Sequence, residues 1–314
     1  MAPELPSSCC MRGRYYNQES PSPKAVYSPP PIYPPSFQNA TITLSPPTKI
    51  SRTGSLHTGN PTGTEKTIHN LPTYVAQPEN SNGTVNGTIV IIPDVFGWDL
   101  INLRLLADSY AKRGNFRVLM PDVHFGDAFA KDSLDAAFPL KGFEPPWYKR
   151  LWTMALSFPK FLLWFWTHRE SVSLPIITKF FKSLREELNS TPGGGKLGVI
   201  GFCWGGRHAV LMNPYVDAIY SAHPSFLKVP AEVEAVTKPI SFAVGDKDIV
   251  LPMKQVERIK GILKKKEGLD SEVVVYEGME HSFAVRGNPA IEAAKKGLEG
   301  SETQAVEWFI KHLA

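Results

Sequence analysis

Four stretches of the chain carry residues whose types and spacing could do chemistry. In Gly201-Phe202-Cys203-Trp204-Gly205-Gly206 a thiol lies between glycines two positions away on either side. The hexapeptide follows an apolar run, residues 196–202, and precedes a helix-like stretch, residues 207–212. This is the context of a nucleophile held at a sharp strand-to-helix turn. Such a turn strains the backbone, and side chains two positions away would collide with the crossing strand and helix. It would also place Cys203 at a helix N-terminus, where the dipole and free N–H groups favour the thiolate. The N–H of Trp204 could then donate to an oxyanion. A second stretch, Gly245-Asp246-Lys247-Asp248, follows the apolar run 239–244 and is followed by Pro252. Asp248 is the candidate for the carboxylate that orients a base, with Asp246 as its competitor or a turn residue. Third, His281 lies in Glu277-Gly278-Met279-Glu280-His281-Ser282-Phe283, just past another apolar run, and is the candidate base. The order nucleophile, acid, histidine is the one that triads on strand-to-helix elbows follow. Fourth, Pro93-Asp94-Val95-Phe96-Gly97-Trp98 ends an earlier run. There the N–H of Val95 is a second oxyanion donor candidate. Asp94 could exchange a proton with Cys203 or serve as a turn residue.

The elements that must position these residues read clearly from about residue 70 onward. Short β-branched runs at 88–93, 116–121, 196–202, 216–222, 239–245 and 272–277 have the character of buried strands. Helical apolar spacing marks 100–113, 173–189, 252–267 and 302–313. Alternating strands and helices of these lengths predict an α/β chain: a mostly parallel central sheet with helices on both faces. Residues 124–168 interrupt the pattern as an irregular, aromatic-rich insert. Its four tryptophans, Trp147, Trp152, Trp164 and Trp166, are expected to roof the pocket. Among the other histidines, His208 is expected to face its helix and His223 to lie near the site; His57, His69, His124, His168 and His312 receive no role. Residues 1–55 are different. Pro29, Pro30, Pro31, Pro34 and Pro35 break a Ser-, Thr- and Tyr-rich segment without apolar period, which predicts a disordered tail. The domain then covers 56–314. Pro31 and Pro34 have the spacing of a PxxP ligand, although an inert tail is the simpler reading.

Composition excludes several classes. The net charge of +4 on 314 residues is mild and unstriped, which gives no footprint for nucleic acid. Three cysteines, two of them adjacent at Cys9 and Cys10, make no disulfide framework and suggest a reducing, cytoplasmic setting. The N-terminal residues carry no secretory pattern. The apolar stretch 151–166 is interrupted by Pro159 and Lys160 and falls short of the ~20 residues of a membrane span. A buried or lid helix pair is the expectation there, with contact at a membrane surface as the alternative.

PDVFGW, GFCWGG, VGDKD and EHSFAVRG, in this order, resemble the dienelactone hydrolase (carboxymethylenebutenolidase) family, and the fungal type in particular. The resemblance runs from about residue 55 to the C-terminus. The pairs Cys9-Cys10 and Leu56-His57 are also similar to the start of fungal members, but here a Pro-rich stretch separates them. The family implies an α/β-hydrolase fold, no metal or organic cofactor, and a Cys203–His281–Asp248 triad. It implies hydrolysis of a small ester or lactone through a thioester, with the protein a monomer or weak homodimer. A gating carboxylate, usually Glu, corresponds to Asp94, and a substrate-binding arginine corresponds to Arg286 with a shift in position. Two other readings differ in kind. One is an amidotransferase-type cysteine enzyme on a flavodoxin-like sheet, and the other is a non-catalytic binding protein on a hydrolase fold.

Overall fold

Strand β3, Thr88–Ile92, shows why these runs form a sheet: every residue of TIVII is buried. β-branched side chains on both faces suit a strand covered on both sides, where alternation disappears. The same holds for β5, Leu197–Phe202, β6, Ala218–Ala222, and β7, Ile240–Gly245. The computed structural model describes residues 57–78, 84–129, 146–190 and 195–314, all within one unit, Pro47–Ala314. The expected tail at 1–55, with Cys9, Cys10 and the PxxP spacing, lies outside the described residues, as does part of the insert.

The remaining strands are β1, Thr64–Ile68, β2, Leu71–Ala76, β4, Arg117–Pro121, and β8, Ser271–Tyr276. Together the eight follow the order β1-β2-β4-β3-β5-β6-β7-β8. β2 runs antiparallel to both β1 and β4, and every other pair is parallel. Register aligns the strand ends, with Ile92 opposite Gly201 and Phe202 opposite Ala222. Loops leaving β3, β5, β6, β7 and β8 therefore meet along one edge of the sheet. This is the α/β-hydrolase fold.

Adjacent residues of β6 locate the two helical layers. The hydroxyl of Tyr220 donates to Ser301 O in α8, Glu292–Leu313. The next residue, Ser221, donates to Gly206 O in α4, Trp204–Leu211. Successive strand side chains point to opposite faces, so helices cover both. Helix α1, Ile101–Gly114, presents Leu103, Leu106, Ala107, Tyr110 and Ala111 inward, as its spacing predicts. It ends at Asn115 in the left-handed conformation (φ 52°), a common helix stop. The remaining helices are α2, Trp147–Thr167, α3, Glu170–Ser190, α5, Ala231–Glu234, α6, Met253–Leu263, and α7, Phe283–Arg286.

Two expectations change, and one hairpin is added to them. The β1–β2 hairpin has no apolar alternation to announce it: β1 is TEKTI and almost wholly exposed. Its turn uses His69 and Asn70, both at positive φ (47° and 67°), the geometry of a tight two-residue hairpin. α8 starts well before the expected 302, at Glu292. The insert is not irregular where it is described, and residues 151–166 are not a helix pair. They lie within one helix, α2, which passes through Pro159. Proline only removes one backbone donor and strains one turn, so it does not have to end the helix.

Phe309 of α8 is fully buried and meets Phe116 edge to face, with ring centroids 6.4 Å apart. Phe309→Ala should cost about 3–5 kcal/mol in urea unfolding. The same truncation at its neighbour Ile310, which is 42% exposed, should cost less than about 1 kcal/mol.

Candidate active site

At the end of β5 the chain turns into α4 through Cys203, whose backbone is held at φ 52° and ψ −114°. Two glycines make the turn possible. A Cβ on Gly201 would lie 2.1 Å from Gly205 O, and one on Gly205 would lie 2.2 Å from Ile92 O. The turn is pinned from both sides. Cys203 N–H donates to Ala222 O (3.2 Å), while Gly206 N–H and Ser225 N–H donate to Cys203 O (3.0 and 2.9 Å).

From the sulfur a continuous line of contacts crosses the sheet edge. Cys203 Sγ lies 3.3 Å from Ser225 Oγ, and that oxygen lies 3.1 Å from His281 Nε2. His281 Nδ1 is 2.8 Å from Asp248 Oδ2. The other carboxylate oxygen, Asp248 Oδ1, accepts from the N–H groups of Val250 (2.8 Å) and Leu251 (3.1 Å). Burial would raise this carboxyl, but His281 and the backbone donors outweigh it and hold Asp248 below the usual carboxylate range. At His281 burial pulls down, yet the Cys203 sulfur and Asp248 prevail and lift the imidazole to about 10. Asp246 is occupied elsewhere. Its Oδ1 accepts Gly278 N–H at 2.6 Å and so closes a turn.

Sequence reasoning passes over Ser225. It follows Pro224 in the loop after β6, and no local motif marks it. Only strand order shows that this loop abuts the elbow. His223, just before it, is fully buried, with its ring centroid 5.1 Å from that of His281. Burial pulls its pKa to about 3, and His281 adds to the effect. It is therefore a neutral wall of the site. His208 faces its own helix, with Nδ1 2.9 Å from Trp204 O.

Asp94 lies in the loop after β3 and is fully buried. Its Oδ1 accepts Phe96 N–H at 3.0 Å, and Oδ2 has no hydrogen-bond partner among the described residues. Burial lifts its carboxyl to about 6, against the pull of Arg286, the Phe96 N–H and His281. The guanidinium of Arg286 stands over the Phe96 ring, 4.6 Å from its centroid. Cys203 Sγ meets Ser225 and interacts with His281, and among the described residues Asp94 makes no hydrogen bond to it. The N–H groups of Val95 and Trp204 have no protein acceptor among the described residues. His57, given no role by its sequence context, braces this corner. Its Nε2 is 3.2 Å from Gly287 O, and its N–H donates to Asn102 Oδ1, while Asn102 Nδ2 donates to Val285 O.

The expected tryptophan roof is corrected. Trp147, Trp152 and Trp166 are 77%, 69% and 66% exposed, and only Trp164 (4%) turns inward. Trp164 stacks on His168 with centroids 4.4 Å apart. His124 links this pair to the elbow, 5.4 Å from Trp164 and 4.8 Å from Trp204. Burial keeps His124 well below its ordinary value, so its ring is neutral. Among the described residues, no group of His, Cys, Asp and Glu side chains is arranged to hold a metal ion.

A sheet of this order, with a strained cysteine elbow and an Asp–His pair at its edge, defines an α/β-hydrolase. The dienelactone hydrolase family model matches residues 71–313, so the chain belongs to that family and is a carboxylic ester or lactone hydrolase. A hydrolase of Aspergillus violaceofuscus, pyvD, is 28% identical over 87% of this chain and 99% of its own. A dienelactone hydrolase of Gibberella moniliformis is 31% identical over 74% and 81%. The carboxymethylenebutenolidase homolog of Xenopus tropicalis is 27% identical over 80% and 91%. The crystal structure of a dienelactone hydrolase from Anabaena variabilis shares the fold at a TM-score of 0.50 and 14% identity, covering 80% of this chain and 97% of its own.

The folded pKa of Asp94 lies above its unfolded value of 3.8. Its contribution to stability is therefore complete below that value and is lost as pH rises through about 6. Asp94→Asn retains an acceptor for Phe96 N–H and removes the charge. Compared with the parent, it should be relatively more stable at pH ~8 than at pH ~4, by about 1–3 kcal/mol in urea unfolding. An unchanged difference between the two pH values would refute this.

Proposed function

We propose that the chain cleaves a small ester or lactone through a Cys203 thioester, with His281 as base and Asp248 as the carboxylate orienting it. The observation that carries this reading is the unbroken line Sγ–Ser225 Oγ–His281–Asp248, which begins at the strained elbow. The Cys203 thiol passes its proton to the Ser225 hydroxyl, which passes its own to His281 Nε2. The thiolate attacks the carbonyl carbon, and the N–H groups of Trp204 and Val95 receive the oxyanion. Collapse breaks the C–O bond, and the imidazolium protonates the departing alkoxide. A lactone ring opens here and stays attached as the thioester. His281 then takes a proton from water, the hydroxide adds to the thioester, and the acid leaves as the thiol re-forms.

Asp94 and Arg286 form the polar floor of this reading. Arg286 is the candidate to meet an anionic substituent on the substrate, with Asp94 in its field. The catalytic unit is residues 56–314, with 1–55 as an appendage outside the chemistry.

The test is turnover of a short-chain activated ester and of a dienelactone by parent, Cys203→Ala and Ser225→Ala proteins. Cys203→Ala should lose at least about 10³-fold in kcat while keeping its unfolding midpoint. Ser225→Ala should lose at least about 10²-fold, the lower end for a removed proton-transfer group. Rapid quenching should trap an acyl group on Cys203, visible by intact mass. Substantial turnover by Cys203→Ala, or acylation elsewhere, would overturn the assignment.

A further inference from the structure

Helix α2 is a surface helix that turns apolar side chains to both sides. Ser157, Phe161, Trp164 and His168 fall on one line, spaced four, three and four residues apart, and this line faces the domain. The opposite arc should be polar in a helix that borders only water. Here it carries Tyr148, Trp152, Leu156, Leu163 and Trp166, each at least half exposed. Trp147, Leu151, Phe158 and Leu162 widen the arc, with 77%, 61%, 59% and 52% exposure. A contiguous apolar patch of this extent marks an interaction site rather than ordinary surface.

The chemistry of the arc selects the partner. No Asp or Glu occurs from Trp147 to Arg169, and Lys149, Lys160 and Arg169 are exposed beside the apolar residues. Lys149 and Lys160 are about three helical turns apart, which places them one above the other along a single flank. Arg169 stacks over Trp166, 4.6 Å from its ring centroid. Tryptophan, tyrosine and leucine on one arc of a helix that carries basic residues and no acidic ones is the pattern of a helix lying in a bilayer interface. A helix of this pattern lies along the surface and does not span: no helix among the described residues is long and apolar enough to cross a membrane. Basic residues without any acidic one from Trp147 to Arg169 match a surface of anionic headgroups.

We infer that α2 seats this hydrolase on an anionic lipid surface through the arc Trp147–Tyr148–Trp152–Leu163–Trp166. The test uses the full chain with sedimenting vesicles of phosphatidylcholine, alone or mixed with phosphatidylserine. The parent should pellet with the mixed vesicles, with a blue-shifted tryptophan emission, and should be released by raised salt. The triple variant Trp147→Ser/Trp152→Ser/Trp166→Ser should lose at least about tenfold in partitioning while keeping the parent's ester turnover. Lys160→Glu/Arg169→Glu should abolish the preference for the mixed vesicles. Cys203→Ala should bind as the parent does, so loss of the catalytic reading would leave this one standing. A parent that stays in solution with both vesicle types overturns the inference, as does a triple variant that binds undiminished. So does self-association of the parent that the triple variant abolishes without any effect of lipid.

Discussion

At the elbow three backbone segments approach more closely than any side chain allows. Gly201 faces Gly205, and Gly205 lies against the end of β3. That closeness holds Cys203 at a positive φ which an isolated cysteine would leave at once, and local strain of this kind persists only where its surroundings over-determine it. The surroundings here are the hydrogen bonds that tie Cys203 to the end of β6 and to the loop after it. The same loop delivers Ser225 and His223 to the sulfur. α4 begins at Trp204 because the turn has just been completed. The sheet register then brings the loops after β7 and β8 to the place the elbow has set.

Two buried carboxylates near this point end in opposite states. Asp248 is met by an imidazole and two backbone N–H groups, and its carboxyl is held below its ordinary value. Asp94 has one backbone donor and a more distant guanidinium, so burial prevails and its carboxyl titrates near 6. Divergent environments for like groups are how a site keeps one carboxylate as a fixed charge and another as a group able to hold a proton. His223 completes the contrast: a neutral ring against His281 leaves the latter's charge to Cys203 and Asp248 alone.

Much of this is legible in the sequence, for physical reasons that also mark the limit. Buried parallel strands lose alternation and become short β-branched runs, so β3, β4, β5, β6, β7 and β8 can be read to within a residue or two. Gly201, Gly205 and the order of Cys203, Asp248 and His281 are legible because each is fixed by a backbone constraint next to it in sequence. Ser225 is not, because its meaning comes from the neighbouring strand rather than from its own flanks. β1 escapes notice because an exposed edge strand needs no apolar pattern. α2 reads as two pieces because it is apolar on both sides and contains Pro159, which hides the periodicity a helix normally shows.

The stack Trp204–His124–Trp164–His168 ties the inward face of α2 to the elbow. Trp204 contributes its ring to this stack and its amide to the turn beside the sulfur, so two separate demands fall on one residue. A change of side chain at Trp164, on the inward face of α2, would therefore meet His124 and through it the ring of Trp204. The outer arc of α2 lies on the other side of the helix from this stack, so substitutions there leave the turn as it is. Of the two faces of one helix, only the inner is joined to the turn that holds the sulfur, and the indole of Trp204 is the joint.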